Sequence, residues 1–343
     1  MTSLWTLLAK ITVEPALFFT AIRRCIDFGA QVTNDLLIDK ICQVELNYSE
    51  EICSNLTNKE FEIFNDEVQQ NVNNFLMIQQ WMGGIPAIIY SFFAGSLLDK
   101  FGCKPFMLLP ALGGAISSVC LLINYIFIDI LPIEFFYMER MYYFFGGDSV
   151  LYLGTYSYGS LKFKPESRSK ALARYDGFET IGQLVGTILA PIVLVNIGIF
   201  GTYSISIGCG VLMFLYIFIF IPHTLSKRNS TKNFITEFMI SPLIDMFKTL
   251  FKRRPRGMHW LIGIQIYAFA SYWFTIQEIF MRYLFMLKTF EGFDAISYSW
   301  FYNYETVSNM VGLLVIFPIM SNYFLIHDTA MLTIFVSLEA LSK

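Results

Sequence analysis

Residues 95–107 read GSLLDKFGCKPFM, and they lead straight from one apolar segment of membrane length into another. Two long helices joined by so short a connection need glycine at the turn, where a side chain collides or φ must be positive. The turn also needs charge to hold it at a water boundary, and Asp99, Lys100 and Lys104 supply it. No domain fits between the two segments, so this part of the chain folds as an antiparallel pair of helices.

Composition extends that conclusion to the whole chain. Of 343 residues, 55% are hydrophobic and only 15% charged, where soluble domains hold about a quarter charged residues. So much apolar surface exceeds what a water-soluble globule hides. The fold class is therefore an all-α polytopic membrane protein. Apolar windows of about 20 residues place helices at 12–37, 72–98, 104–130, 133–160, 172–197, 201–222, 259–287 and 295–320, with a ninth under way from 325. Arg23, Arg24 and Asp27 interrupt the first of them. The domain reading is a complete N-terminal six-helix bundle at 1–222, a cytoplasmic linker at 223–257 and a partial C-terminal bundle of about three helices at 258–343. In the linker, Phe234, Phe238, Ile240, Leu243, Phe247 and Leu250 recur at roughly helical spacing ahead of Lys252–Arg256, the pattern of an amphipathic helix on the inner leaflet.

Cations settle the expected orientation. The 2–3, 4–5 and 6–7 loops hold the Lys and Arg clusters, and the loops near 131, 198 and 290 hold almost none. The positive-inside rule puts the N-terminus in the cytoplasm. Residues 39–71 then form an acidic outer loop, with glycosylation acceptor sequences at Asn47 and Asn55. Cys42 and Cys53 share that loop, where oxidation is permitted; they read as a disulfide or as two thiols. Met1–Lys10 has no basic start and small-residue cleavage site, so the first helix is expected to serve as its own signal anchor.

The spacing G-x-L-x-D-K-x-G-x-K-x-x-M, carried by Gly95, Leu97, Asp99, Gly102 and Lys104, resembles the gating loop between the second and third helices of the major facilitator superfamily. Cys103 stands where that family usually has a basic residue. The resemblance implies two facing bundles of six helices with a substrate site at the midplane between them. Nine helices leave the second bundle incomplete, so the chain is expected to be C-terminally truncated, or else a short isoform with a different role.

A charge in a spanning helix costs about 2.5–3.5 kcal/mol on insertion scales, so each needs a reason. Arg140, Phe144 and Asp148 follow steps of four and are expected on one helical face. They read as a proton or substrate site, or as a charge network inside the bundle. Asp176 and Glu179 are three apart in the fifth helix, a spacing that suits proton coupling; the plainer reading pairs Asp176 with Arg174. Arg23 or Arg24 is the expected counter-charge for an anionic substrate. Glu278 and Arg282 in the seventh helix are spaced for a salt bridge. Trp273 and Tyr298 stack on a planar ligand or simply fill the bundle.

Within the superfamily, the chain is similar to the proton-coupled folate transporter and thymic stromal cotransporter group, in an insect-like form. The similarity rests on Thr12-Val-Glu-Pro15, the Cys53–Asn55 region, the 95–107 loop, Arg140 with Gly147-Asp148, Ser167–Ser169 and Gln277–Ile279. It implies that Asp148 matches a fourth-helix aspartate, Asp176 a fifth-helix carboxylate implicated in proton coupling, and Tyr298 a tyrosine near the cavity. A seventh-helix histidine of the group is replaced by Trp273. The distant partner of the group's loop cysteine is missing, which favours Cys42 as the mate of Cys53.

The functional expectation is a secondary active transporter working by alternating access, a proton-coupled symporter of a folate-like or other amphiphilic organic anion. The alternative is a non-transporting truncated partner of a full-length relative. The expected partners are the small anion, protons and the lipid bilayer of the plasma or endolysosomal membrane, with no nucleic acid. No catalytic constellation and no G-x-x-x-x-G-K-[ST] phosphate loop is present. The chain is therefore not read as an enzyme or an ATP-driven pump, and no cofactor or metal is implied.

Overall fold

A computed structural model describes residues 12–29, 32–56 and 61–223, with isolated positions between 244 and 319. The described residues form helices joined by short turns, with no strand among them. The first segment forms α1 (Glu14–Gly29) and α2 (Val32–Lys40), and a wide turn at Ile41–Glu45 follows. A short helix, α3 (Glu50–Ser54), closes the loop between α2 and the next long helix, and a Cys42–Cys53 disulfide staples it. The second segment is α4 (Glu62–Phe101) and the third α5 (Cys103–Ile126). The linker reading, the later helices and Trp273, Glu278, Arg282 and Tyr298 lie outside the described residues.

The α4–α5 turn contains one non-helical residue. Gly102 has φ 76°, a region that L side chains enter at a cost, and its N–H bonds back to the Leu98 carbonyl at 2.9 Å. Two positions on, Lys104 reaches across and donates to the Phe218 carbonyl at 2.7 Å, close to the C-terminal end of the last described helix. A cation there complements the partial negative charge of the helix terminus.

α4 begins ten residues before the apolar window. Its outer turns are polar, yet Val68, Val72 and Phe75 are buried at helical spacing. That narrow stripe seats the stapled loop: Ile41, Cys42, Cys53 and Leu56 join the three α4 residues in one core, continuous with Leu121 and Tyr203. Lys40 is fully buried beside it, donating to Asn124 at 3.1 Å over the Phe136 ring.

The fourth segment departs from the expected uninterrupted helix. It opens as a 3₁₀ turn (Ile133–Arg140), continues as α6 (Met141–Phe144), and breaks at Gly146 and Gly147, both at positive φ. It resumes as α7 (Gly147–Lys162). Consecutive glycines and a 3₁₀ pitch destroy the 3.6-residue register, so Arg140 and Asp148 do not share a helical face.

α8 (Pro165–Phe220) contains the fifth and sixth segments in 56 residues, with a break at Gly198, φ 75°. Its apolar part, Ala171–Phe220, holds 50 residues on the two sides of Gly198, about 20 or more on each, the length that one bilayer crossing takes. Among the described residues, Ala171–Phe220 and Cys103–Ile126 are long and apolar enough to cross a membrane. α1 lies along α8 for most of its length. Gly182 and Gly186 permit this approach: a Cβ on Gly182 would sit 2.6 Å from the Phe18 carbonyl oxygen, and one on Gly186 3.0 Å from Ile22 Cα. Small residues four apart let helix backbones approach closely inside a membrane.

Candidate functional site

The close contact between α1 and α8 brings charge together. Arg24 on α1 extends its guanidinium between α7 and α8. Nη1 pairs with Asp148 Oδ1 at 3.1 Å, while Nη2 pairs with Glu179 Oε1 and also donates to the Tyr152 hydroxyl at 3.0 Å. The planar fork of arginine suits this, because it carries donors along two edges at once. One cation therefore serves two carboxylates, with side chains only 11% exposed for Glu179 and 30% for Asp148.

Tyrosines complete the arrangement. Tyr142 donates to Asp148 Oδ1 at 2.8 Å, and Tyr152 donates to Glu179. One turn further along α7, Tyr156 donates to Asp176 Oδ1 at 2.5 Å, and the Tyr152 and Tyr156 rings stack with centroids 5.9 Å apart. The two helices thus form a ladder: Tyr152 with Glu179, then Tyr156 with Asp176.

Arg23 points elsewhere. Its guanidinium lies 5.0 Å from the Tyr142 ring centre and against Gly114, where a Cβ would come within 2.9 Å of it. A small cavity of about 30 Å³ opens between the two arginines, lined by Arg23, Arg24, Glu139, Tyr142, Tyr143 and Asp148. Its lining is cationic, acidic and aromatic together.

Sequence reasoning grouped Arg140 with Asp148, and the structure separates them. Arg140 Nη2 donates to Gln79 Oε1 at 2.8 Å, Gln79 Nε2 donates to Glu139 Oε2 at 2.9 Å, and the Ser117 hydroxyl donates to the Glu139 carbonyl. This second network is buried and ties α4, α5 and the fourth segment together. Nor does Asp176 pair with Arg174. Arg174 Nε instead binds Glu14 Oε1 at 2.7 Å, joining the start of α1 to α8, and Asp176 takes the Tyr156 hydroxyl.

The remaining expected positions are distributed along the fold. Gly95 faces open space on α4, and Asp99 falls in that helix's last turn. Asn47 is exposed at φ 54°, and exposed Asn55 bonds through its amide to the Glu51 carbonyl. The residues that sequence reasoning passed over are Gln79, Tyr142, Tyr152 and Tyr156. Asp148, Tyr152 and Tyr156 are spaced by four within one true helix, so the stripe that marks the site was in the sequence one turn beyond where it was sought.

The profile of the Major Facilitator Superfamily matches residues 71–339, and no curated protein matches the chain. The chain belongs to the Major Facilitator Superfamily, whose members are membrane transporters of small solutes rather than enzymes.

Proposed function

We propose that this transporter is a proton-coupled symporter of an organic anion and that Arg24 is where proton and anion meet. The observation that carries the reading is the sharing of one guanidinium by Asp148 and Glu179. With both acids ionised, the fork is occupied and the cluster holds one excess negative charge, which repels an anion. A proton on Glu179 removes that charge and releases Nη2 toward the cavity, where it donates to a substrate carboxylate in a charge-assisted hydrogen bond. Binding of the anion is then favoured only after the proton has arrived, which is the thermodynamic content of symport.

The similarity to the folate transporter group supports an amphiphilic, folate-like anion, and two arginines set among tyrosine rings supply the counter-charge and the ring faces that an aromatic carboxylate would meet. In that group the resemblance points to Asp176; the geometry supports Glu179 as the coupling acid, because Glu179 and not Asp176 touches the arginine. The proposed membrane arrangement has the N-terminus and the α4–α5 turn in the cytoplasm. The stapled loop is outside, with glycans at Asn47 and Asn55 whose removal by a glycosidase would register as a mobility shift. The domain proposal is a six-helix bundle at 1–222, a linker at 223–257 and helices of a second bundle beyond it.

Uptake of radiolabelled folic acid and of other aromatic carboxylates, measured across external pH, tests the reading. Wild-type uptake rises as pH falls, and Glu179→Gln, which mimics the protonated acid, takes up the anion independently of pH. Equal pH sensitivity in the two proteins would overturn the assignment.

A further inference from the structure

We infer that Tyr152 is the positioning residue that sets the pH at which the Arg24–Glu179 pair switches; the inference rests on the reading of Glu179 as the coupling acid. Tyr152 touches both members of that pair: its hydroxyl oxygen accepts from Arg24 Nη2 at 3.0 Å and its proton goes to Glu179 Oε1. Its ring also lies 5.8 Å from the Arg24 guanidinium and stacks on Tyr156.

The chemistry of this position is asymmetric. A phenol donates strongly to a carboxylate and weakly to a carboxylic acid, so Tyr152 favours the ionised form of Glu179. Arg24, from α1, pushes the same way. Asp148, from α7, opposes both across the shared guanidinium. Asp176, on α8 with Glu179, is occupied by Tyr156 on the next rung. Of these groups, only Tyr152 can lose its polar atom without changing the charge of the cluster. Tyr152→Phe keeps the ring, the stack on Tyr156 and every formal charge, and removes the hydroxyl that donates to Glu179 and accepts from Arg24. Glu179 then holds its proton to higher pH.

A hydrogen bond to a charged group is strong enough to move such an equilibrium by about one pH unit. The switch therefore turns over in a less acid medium when the hydroxyl is absent, and the anion-binding form is populated across a wider pH range. The stacked Tyr156 holds the Tyr152 ring in the plane that aims the hydroxyl, while its own hydroxyl serves Asp176.

Infrared titration of the full chain in lipid nanodiscs reads this without any substrate, using the carboxyl band that disappears in Glu179→Gln. The midpoint of that band is expected to rise by about one unit in Tyr152→Phe. It should return to the wild-type value when 4-aminophenylalanine, which restores a donor on the same ring, replaces Tyr152, and should stay put in Tyr156→Phe. A midpoint that is unmoved or falls in Tyr152→Phe would overturn the inference, as would an equal shift in Tyr156→Phe. The symport reading fails separately: in that case the band titrates and shifts as stated, but folic acid uptake ignores pH.

Discussion

Gln79 illustrates how much a single neutral side chain holds in this fold. It is 2% exposed, and its amide satisfies Arg140 with its oxygen and Glu139 with its nitrogen. Opposite charges held through one amide keep both ions from standing unpaired in an apolar interior. Gln79→Leu removes both bonds at nearly constant volume, and it is expected to destabilise the protein by about 3 kcal/mol, since buried charged partners are left unmatched. Thermal unfolding in detergent checks this, and a melting temperature equal to wild type would contradict it. Nothing in the sequence singles out Gln79, because a glutamine in a helix is unremarkable until its neighbours are known. Asp148, Arg24 and Glu179 were legible as charges that needed a reason, but not as one cluster. Joining them requires the crossing of α1 over α8, and that depends on contacts between residues more than 120 positions apart.

At the scale of elements, among the described residues, apolar windows matched the helices of the second, third, fifth and sixth segments and erred where polarity and pitch diverge from the simple pattern. Glycine breaks at Gly102 and Gly198 ended helices near the anticipated points. The polar outer turns of α4 read as loop because only Val68, Val72 and Phe75 carry the apolar stripe, a face too narrow for a composition window to register. Gly146 and Gly147 read as ordinary small residues of a spanning helix, although their positive φ values split the fourth segment and turn Arg140 away from Asp148. The α1–α8 contact has its own test. Gly186→Leu forces a side chain against Ile22, and it is expected to cost about 1–3 kcal/mol and to lower uptake severalfold by drawing Arg24 away from Glu179. Gly208→Leu, on the same helix with open space around its Cα, is expected to unfold within about 0.5 kcal/mol of wild type. If both variants behaved alike in a stability and uptake comparison, the close crossing would not be what positions the arginine.

Across the whole molecule, α1, α7 and α8 each contribute to one charged cluster, while α4, α5 and the fourth segment share a second, buried network of Gln79, Ser117, Glu139 and Arg140. The division suggests a working arrangement: one network fixes the scaffold, and the other changes its partners as a proton arrives. Family membership makes the molecule a transporter, and the shared arginine is the device proposed to make transport depend on protons. Vesicles carrying the purified protein and a trapped pH-sensitive dye test that dependence directly, with folic acid added outside in the absence of any imposed gradient. The account predicts that the vesicle interior acidifies as the labelled anion enters, and that the acidification is lost in Glu179→Gln although the anion still equilibrates. Entry of the anion into wild-type vesicles with no change in internal pH would contradict it.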